Sequence, residues 1–306
     1  MNYLILLVVV LIIIAIINSL LEKNKAFYVS ASGNDENNGK SEKKPFKTIR
    51  KAIRSIEDSR RSKIFVIGTL DAKSEEPVSY NDDLNKIEWD EKYVFDIRYS
   101  RKKDIAITGK PNAKDNEKAI LSGLGATQAV VNITGNWNSM VCFGNIEISG
   151  INPNKTRSKR KKMIDNMADN KDFVYTKNDE EIYDSCFALE IYRNVLLGEG
   201  TRITNNYGNG VLVEGCLLGV DGAEIIDNAC FGIMLANASL YVSSGIIKNN
   251  KCGVYFDKKS KGTIEGGEIT ENKQTGVFLE QGSALEEKGG KIHKNDINII
   301  RSEDKE

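Results

Sequence analysis

Three carboxylates and one aromatic ring recur at a spacing that could do chemistry: Glu199, Asp221 and Glu265, with Tyr241 among them. Glu199 and Asp221 are 22 residues apart, and Glu265 follows Asp221 by 44. If 22 residues make one turn of a coil, these groups share an outward face. Their backbones would then stack at ~4.8 Å, the spacing of neighbouring strands. Carboxylates that close can share a cation or serve as a retaining glycosidase pair, and a tyrosine beside them can stack on a sugar. No adjacent base and no tight Asp cluster accompany them, so the sequence assigns no catalytic residue and no metal ligand. A solvated face is the plain alternative, because 28% of the chain is charged and chance pairs are expected on any outward column.

What must position these residues is a repeat. "GGEITENKQTGVFLEQGS", from Gly266, echoes "GAEIIDNACFGIMLANAS", from Gly222. Isoleucines fall at 203, 225, 247, 269 and 292, and asparagines at 206, 228, 250, 272 and 295. Both series step by 22, 22, 22 and 23. A fixed period in the low twenties marks a solenoid. Each period holds three short apolar stretches broken by Gly and Asn, with no helix-length segment, so three short parallel strands per turn fit better than a leucine-rich repeat.

The asparagines are expected at sharp turns with left-handed backbone, stacked through their amides along the coil. Leu196, Leu218, Leu240 and Leu285 are expected as one inward column, and Val220, Val242 and Ile264 as another, with Glu287 at the same offset in the last turn. Outside, Glu199, Asp221, Ser243, Glu265 and Lys288 should align, as should Leu197, Gly219, Tyr241, Thr263 and Glu286. Five cysteines, an odd number with no CxxC pair, argue against a disulfide framework and a zinc site. Cys230 and Cys252 each follow a ladder Asn by two residues and should be vertical neighbours, as a stack of thiols.

The coil extends back less regularly through "FALEI" at Phe187, "NIEISG" at Asn145, "DIAITG" at Asp104, "KIFVIGT" at Lys63 and "AFYVSASG" at Ala26. Residues 152–184 carry almost no apolar pattern, basic first and acidic later, and read as an excursion from the coil. Ile49, Ala52, Ile53 and Ile56 fall at helical spacing, and a helix there would cover the open first turn. The body thus spans 26–300, with a charged tail at 301–306. Before it, Tyr3 to Ile17 is unbroken apolar sequence, extended by Leu20 and Leu21. Residues 1–25 read as a membrane anchor through 3–21, with a cleaved signal as the alternative; no basic residue precedes the stretch and no small-x-small site follows. Lys23 and Lys25 weakly favour a cytoplasmic body. Lys+Arg and Asp+Glu both total 43, which points away from nucleic acid.

One stretch carries a resemblance. Tyr28-Val29-Ser30, Gly33, Asp35, Asn37, Gly39 and then Pro45-Phe46-x-Thr48-Ile49 with a short helix resemble the opening of right-handed parallel β-helix proteins of the pectate-lyase-like superfamily. With the repeats, the resemblance covers about Ala26 to Ile300. It implies an all-β, right-handed parallel β-helix with a short capping helix, to which the repeat adds about 22 residues per turn and the apolar stretch an N-terminal membrane or signal helix. It also implies an extracytoplasmic body and polysaccharide along one outward sheet. Members include lyases that use acidic residues for Ca2+ with an Arg or Lys base, hydrolases with clustered Asp, adhesins and others, so the fold does not choose among activities. "DENNG" lacks the downstream acidic ligand of a calcium loop and reads as turn chemistry.

The sequence therefore predicts a membrane-tethered, extracytoplasmic β-helix protein, either glycan-binding or a structural component of the envelope. The rival is a polysaccharide lyase, with Ca2+ if so, or a glycoside hydrolase, acting on an acidic polysaccharide. Glu199, Asp221, Tyr241 and Glu265 are the candidate ligand-binding residues. Asn206, Asn228, Asn250, Asn272 and Asn295 are the structural ladder.

Overall fold

A computed structural model describes residues 26–57, 62–71, 74–75, 93–99, 104–123, 129–135, 138–150 and 186–302. The predicted membrane segment, the 152–184 excursion and most of the charged tail lie outside these residues. Among the described residues, no helix is long and apolar enough to cross a membrane.

The described strands form three all-parallel sheets, called A, B and C in the order each turn visits them, with nine, eight and eight strands. One turn in the regular half runs Leu217–Val220 in A, Glu224–Ile226 in B and Phe231–Ala236 in C. The register follows the repeat: Ile203 pairs with Ile225, then Ile247, Ile269 and Ile292. Strands of sheets A and B bury mainly alternate residues, those of sheet C are buried almost throughout, and no single turn closes a core alone. Stacking places Val211, Ile233, Val254 and Val277 in one buried column and fuses the turns into a continuous core. At the N-terminal end the helix Ile49–Glu57 packs on the first turns, burying Ile49, Ala52, Ile53 and Ile56. Its amide end is held by Asp35, whose Oδ1 accepts the Lys47 and Thr48 N–H groups and whose Oδ2 accepts the Thr48 hydroxyl. The opening motif is thus turn and cap chemistry.

Two expectations need correction. The ladder asparagines do not themselves take left-handed backbone. That conformation belongs to the residue before each: Asn205, Asp227, Asn249, Glu271 and Lys294, all with φ between 53° and 57°. Glu271 and Lys294 gain little there from their own side chains, so the following Asn must hold the turn. Cys230 and Cys252 are not vertical neighbours either. Cys252 pairs with Phe231, while Cys230 sits beside Lys251, whose N–H donates to the Cys230 carbonyl. That corner is one residue shorter in the later turn. All five cysteines are free thiols.

The ladder closes fully. Each Asn Nδ2 donates to the Oδ1 of the next Asn, at 2.9 Å from Asn206 to Asn228 and from Asn228 to Asn250, 3.2 Å to Asn272 and 2.9 Å to Asn295. The same Oδ1 atoms accept the backbone N–H of Asn228, Asn250 and Asn272. The second amide hydrogen goes to a backbone carbonyl, such as that of Ile225 from Asn250. Asn206, Asn228, Asn250 and Asn272 are all buried, so every donor needs this partner. The glycine that opens each apolar run now has its reason: a Cβ on Gly232 would lie 2.9 Å from the Asn250 Nδ2 and 2.7 Å from the Gly253 carbonyl oxygen.

Candidate functional site

On the outer face of sheet A, Gly219, Tyr241, Thr263 and Glu286 align as expected. The first turn does not join them as the spacing implied. Val195 pairs with Leu218 and Leu197 with Val220, so Leu196 lies beside Gly219 rather than in the inward leucine column. One extra residue in the later turn, at Gly215 and Cys216, causes this slip, and one extra residue in the corner Gly198–Thr201 restores the 22-residue step by Arg202. Glu199 sits in that corner beside Gly222, one position off the column of Asp221. The two carboxylates are therefore not an aligned pair.

The remaining candidates do converge. Asp221 Oδ1 accepts the hydroxyls of Ser243 and Ser244 at 2.8 and 2.9 Å. Those two bonds hold its carboxyl below the usual carboxylate range, so it stays an anion. The Tyr241 hydroxyl donates to Glu265, which raises its pKa and keeps it a donor. Tyr241 is 39% exposed, between the bare backbone of Gly219 and the small Thr263. Leu196 leans over Gly219, where an added Cβ would meet its Cδ1 at 2.9 Å. The result is a shallow apolar and aromatic ledge edged by two fixed carboxylates.

Next to this ledge, where sheet C turns into sheet A, lies a cleft of about 450 Å³. Its lining includes Tyr192, Glu214, Gly215, Ala236, Asp257 and Lys258. Glu214 pairs with Ala236, and continuing the register sets Tyr192 before it and Asp257 after. Glu214 and Asp257 therefore flank the small Ala236 with two strand spacings, ~10 Å, between their backbones. Asp257 accepts the Asn237 N–H with both oxygens at 3.0 Å and the Ser260 hydroxyl at 2.6 Å. Burial and the neighbouring Glu190 and Glu214 push the Tyr192 hydroxyl well above its ordinary pKa, so it is a neutral donor. Sequence spacing missed this cleft because the corner varies in length from turn to turn. The corner at Asp257-Lys258-Lys259 is longer than the one before it but equal to the one after it, so its length alone does not mark the cleft. Among the described residues, no group of three or more His, Cys, Asp or Glu is placed to hold a metal.

Residues 166–304 match the family model described as "Right handed beta helix region". With the three parallel sheets, that match makes the body a right-handed parallel β-helix, the class its opening motif resembles. Among curated proteins no relative matches. Similar solved structures include the GH136 lacto-N-biosidase from Eubacterium ramulus, native protein, at 9% identity and TM-score 0.31, covering 90% of this chain and 68% of that one. A rhamnogalacturonan lyase is similar at 11% identity and TM-score 0.29, covering 83% and 74%. Neither likeness bears on this chain's chemistry.

Proposed function

We propose that this is a membrane-tethered, extracytoplasmic β-helix protein that binds a glycan, with a structural role in the envelope as the outcome if no ligand is found. The observation that supports the reading is Tyr241: an exposed ring on a bare ledge, with its hydroxyl and two carboxylates already fixed by neighbours. Sugars are bound by such a combination, an aromatic face for the ring and rigid acceptors for the hydroxyls. The cleft beside it extends the same surface around the corner. Tethering rests on the apolar stretch 3–21, and extraction of membranes with alkaline carbonate tests it: an anchored chain stays in the pellet.

Binding is tested by titrating the full chain in mild detergent against acidic and neutral polysaccharides, with and without calcium. Tyr241→Ala combined with Asp221→Asn should abolish binding. Undiminished binding in that variant would remove the ledge from consideration.

A second reading, hydrolysis, is favoured by one observation, the Glu214 and Asp257 carboxylates on either side of Ala236. Inverting glycosidases hold a general acid and a general base far enough apart to admit a water. Release of new reducing ends from any of these polysaccharides, lost in Glu214→Gln, is the outcome that supports catalysis.

A further inference from the structure

The two ends of the coil are built differently. At the N-terminal end a helix covers the first turns. At the other, the last strand of each sheet, Ala284–Glu287 in A, Lys291–His293 in B and Ile297–Arg301 in C, has, among the described residues, a hydrogen-bonded neighbour on one side only. Leu285, Ile292 and Ile299, at core positions of this last turn, are only partly buried, and Ile297 is 51% exposed. An apolar strand with a free edge is a template for pairing.

The charges on this end are sorted. The sheet A edge carries Glu286 and Glu287, with Lys288 beside Glu286 at 3.3 Å. The sheet B edge carries Lys291, His293 and Lys294. The sheet C edge is Ile297, Asn298, Ile299, Ile300 and Arg301. Glu287 occupies the column that is Val220, Val242 and Ile264 in earlier turns, and it is exposed. Another apolar turn stacked head to tail would bury that carboxylate without a partner, a cost of several kcal/mol by the general desolvation of unpaired charge. The coil therefore rejects simple continuation by its own repeat.

We propose that this end is an interface for a second copy of the chain, docked tail to tail about a two-fold axis through the sheet C edge. A triangular coil has three such axes, each pairing one edge with itself and exchanging the other two. Self-pairing of the A edge brings four glutamates together, and self-pairing of the B edge brings its lysines together. Self-pairing of the C edge avoids both. It sets Ile297–Arg301 antiparallel to its own copy and lays the Glu286 and Glu287 end of the A edge against Lys291, at the start of the other copy's B edge, with Lys294 flanking the same face. Glu287, a misfit against an apolar turn, gains a cationic partner. The contact is one turn in cross-section, so it is a reversible dimer rather than an obligate one. It does not depend on the glycan reading.

Light scattering and sedimentation of the full chain in mild detergent, over a range of concentration and salt, provide the test. The parent should shift from monomer to dimer with concentration, and added salt should weaken the dimer. Glu286→Lys with Glu287→Lys should be monomeric, as should Lys291→Glu with Lys294→Glu. An equimolar mixture of the two variants should dimerise again. A parent that stays monomeric, assemblies that grow beyond two, or a mixture that stays monomeric would each overturn the proposal.

Discussion

Two corners of the same coil behave in opposite ways. Where sheet B turns into sheet C, each turn from Asn206 to Asn272 opens with one arrangement, a left-handed residue and then a buried Asn bonded to the turns on both sides, even though the corner after Asn250 is one residue shorter. Where sheet C turns into sheet A, the corners run 192–194, 215–216, 237–238, 257–260 and 280–283, and their length changes along the coil. The first corner is regular because a buried amide tolerates no missing partner. The second is free to vary because its polar groups can reach water, and unequal neighbours leave a cleft between them. On the proposed reading, stability and recognition are divided between corners of one repeat.

The sharpest way to break this division is at the regular corner. Asn250→Leu removes the acceptor of the Asn228 side-chain and backbone N–H groups and the donors to Ile225 and Asn272. Two buried donors lose their partner, so we expect a loss of about 4 kcal/mol, read from chemical denaturation. A variant that melts like the parent would refute the ladder's importance.

The capped end supplies a pH-dependent counterpart. Glu75 is buried and accepts the Ile49 N–H at 2.7 Å, with Asp35 and Arg50 as its charged neighbours. Burial raises its pKa from 4.5 to about 7. The folded state therefore keeps a proton that the unfolded chain releases, so stability falls as pH rises from about 4.5 to about 7 and is level above that. The span amounts to about 3 kcal/mol by linkage. Glu75→Gln keeps an oxygen for Ile49 and should flatten that part of the stability profile; an unaltered slope would show that another group causes it.

Gly232→Ala should cost about 2 kcal/mol in melting experiments, since its methyl meets the Asn250 amide and the Gly253 carbonyl at under 3 Å. The smallest effect is expected at the variable corner and ledge. Glu214→Gln and Tyr241→Ala should each shift stability by under about 0.5 kcal/mol while altering ligand binding. A large loss of stability there would erase the contrast between the corners.

The regular corner was legible in the sequence because burial imposes its cost on each turn separately, so Ile and Asn return at steps of 22, 22, 22 and 23. The opening motif was legible for the same reason, since Asp35, Thr48 and Gly39 each fill a fixed backbone requirement. Glu199 was misplaced because the step of 22 is a sum over three corners. An extra residue at Gly198–Thr201 is offset by one at Gly215 and Cys216, and the total conceals both. The Glu214 and Asp257 arrangement was not legible at all, for it depends on how far two unequal corners project, which no period records.

The ladder also sets how this molecule can change length. Each turn is bonded only to the one before and the one after, and Asn228, Asn250 and Asn272 present the same atoms at the same positions. Removing residues 229–250 would let Asn228 meet Asn272 as it now meets Asn250, and duplicating them would add a turn with its amides satisfied. Such a change would shorten or lengthen the coil by ~4.8 Å and leave both ends as they are. The repeat is in this sense a graduated rod, adjustable in whole divisions, that can carry its end at different reaches without redesigning any part of it.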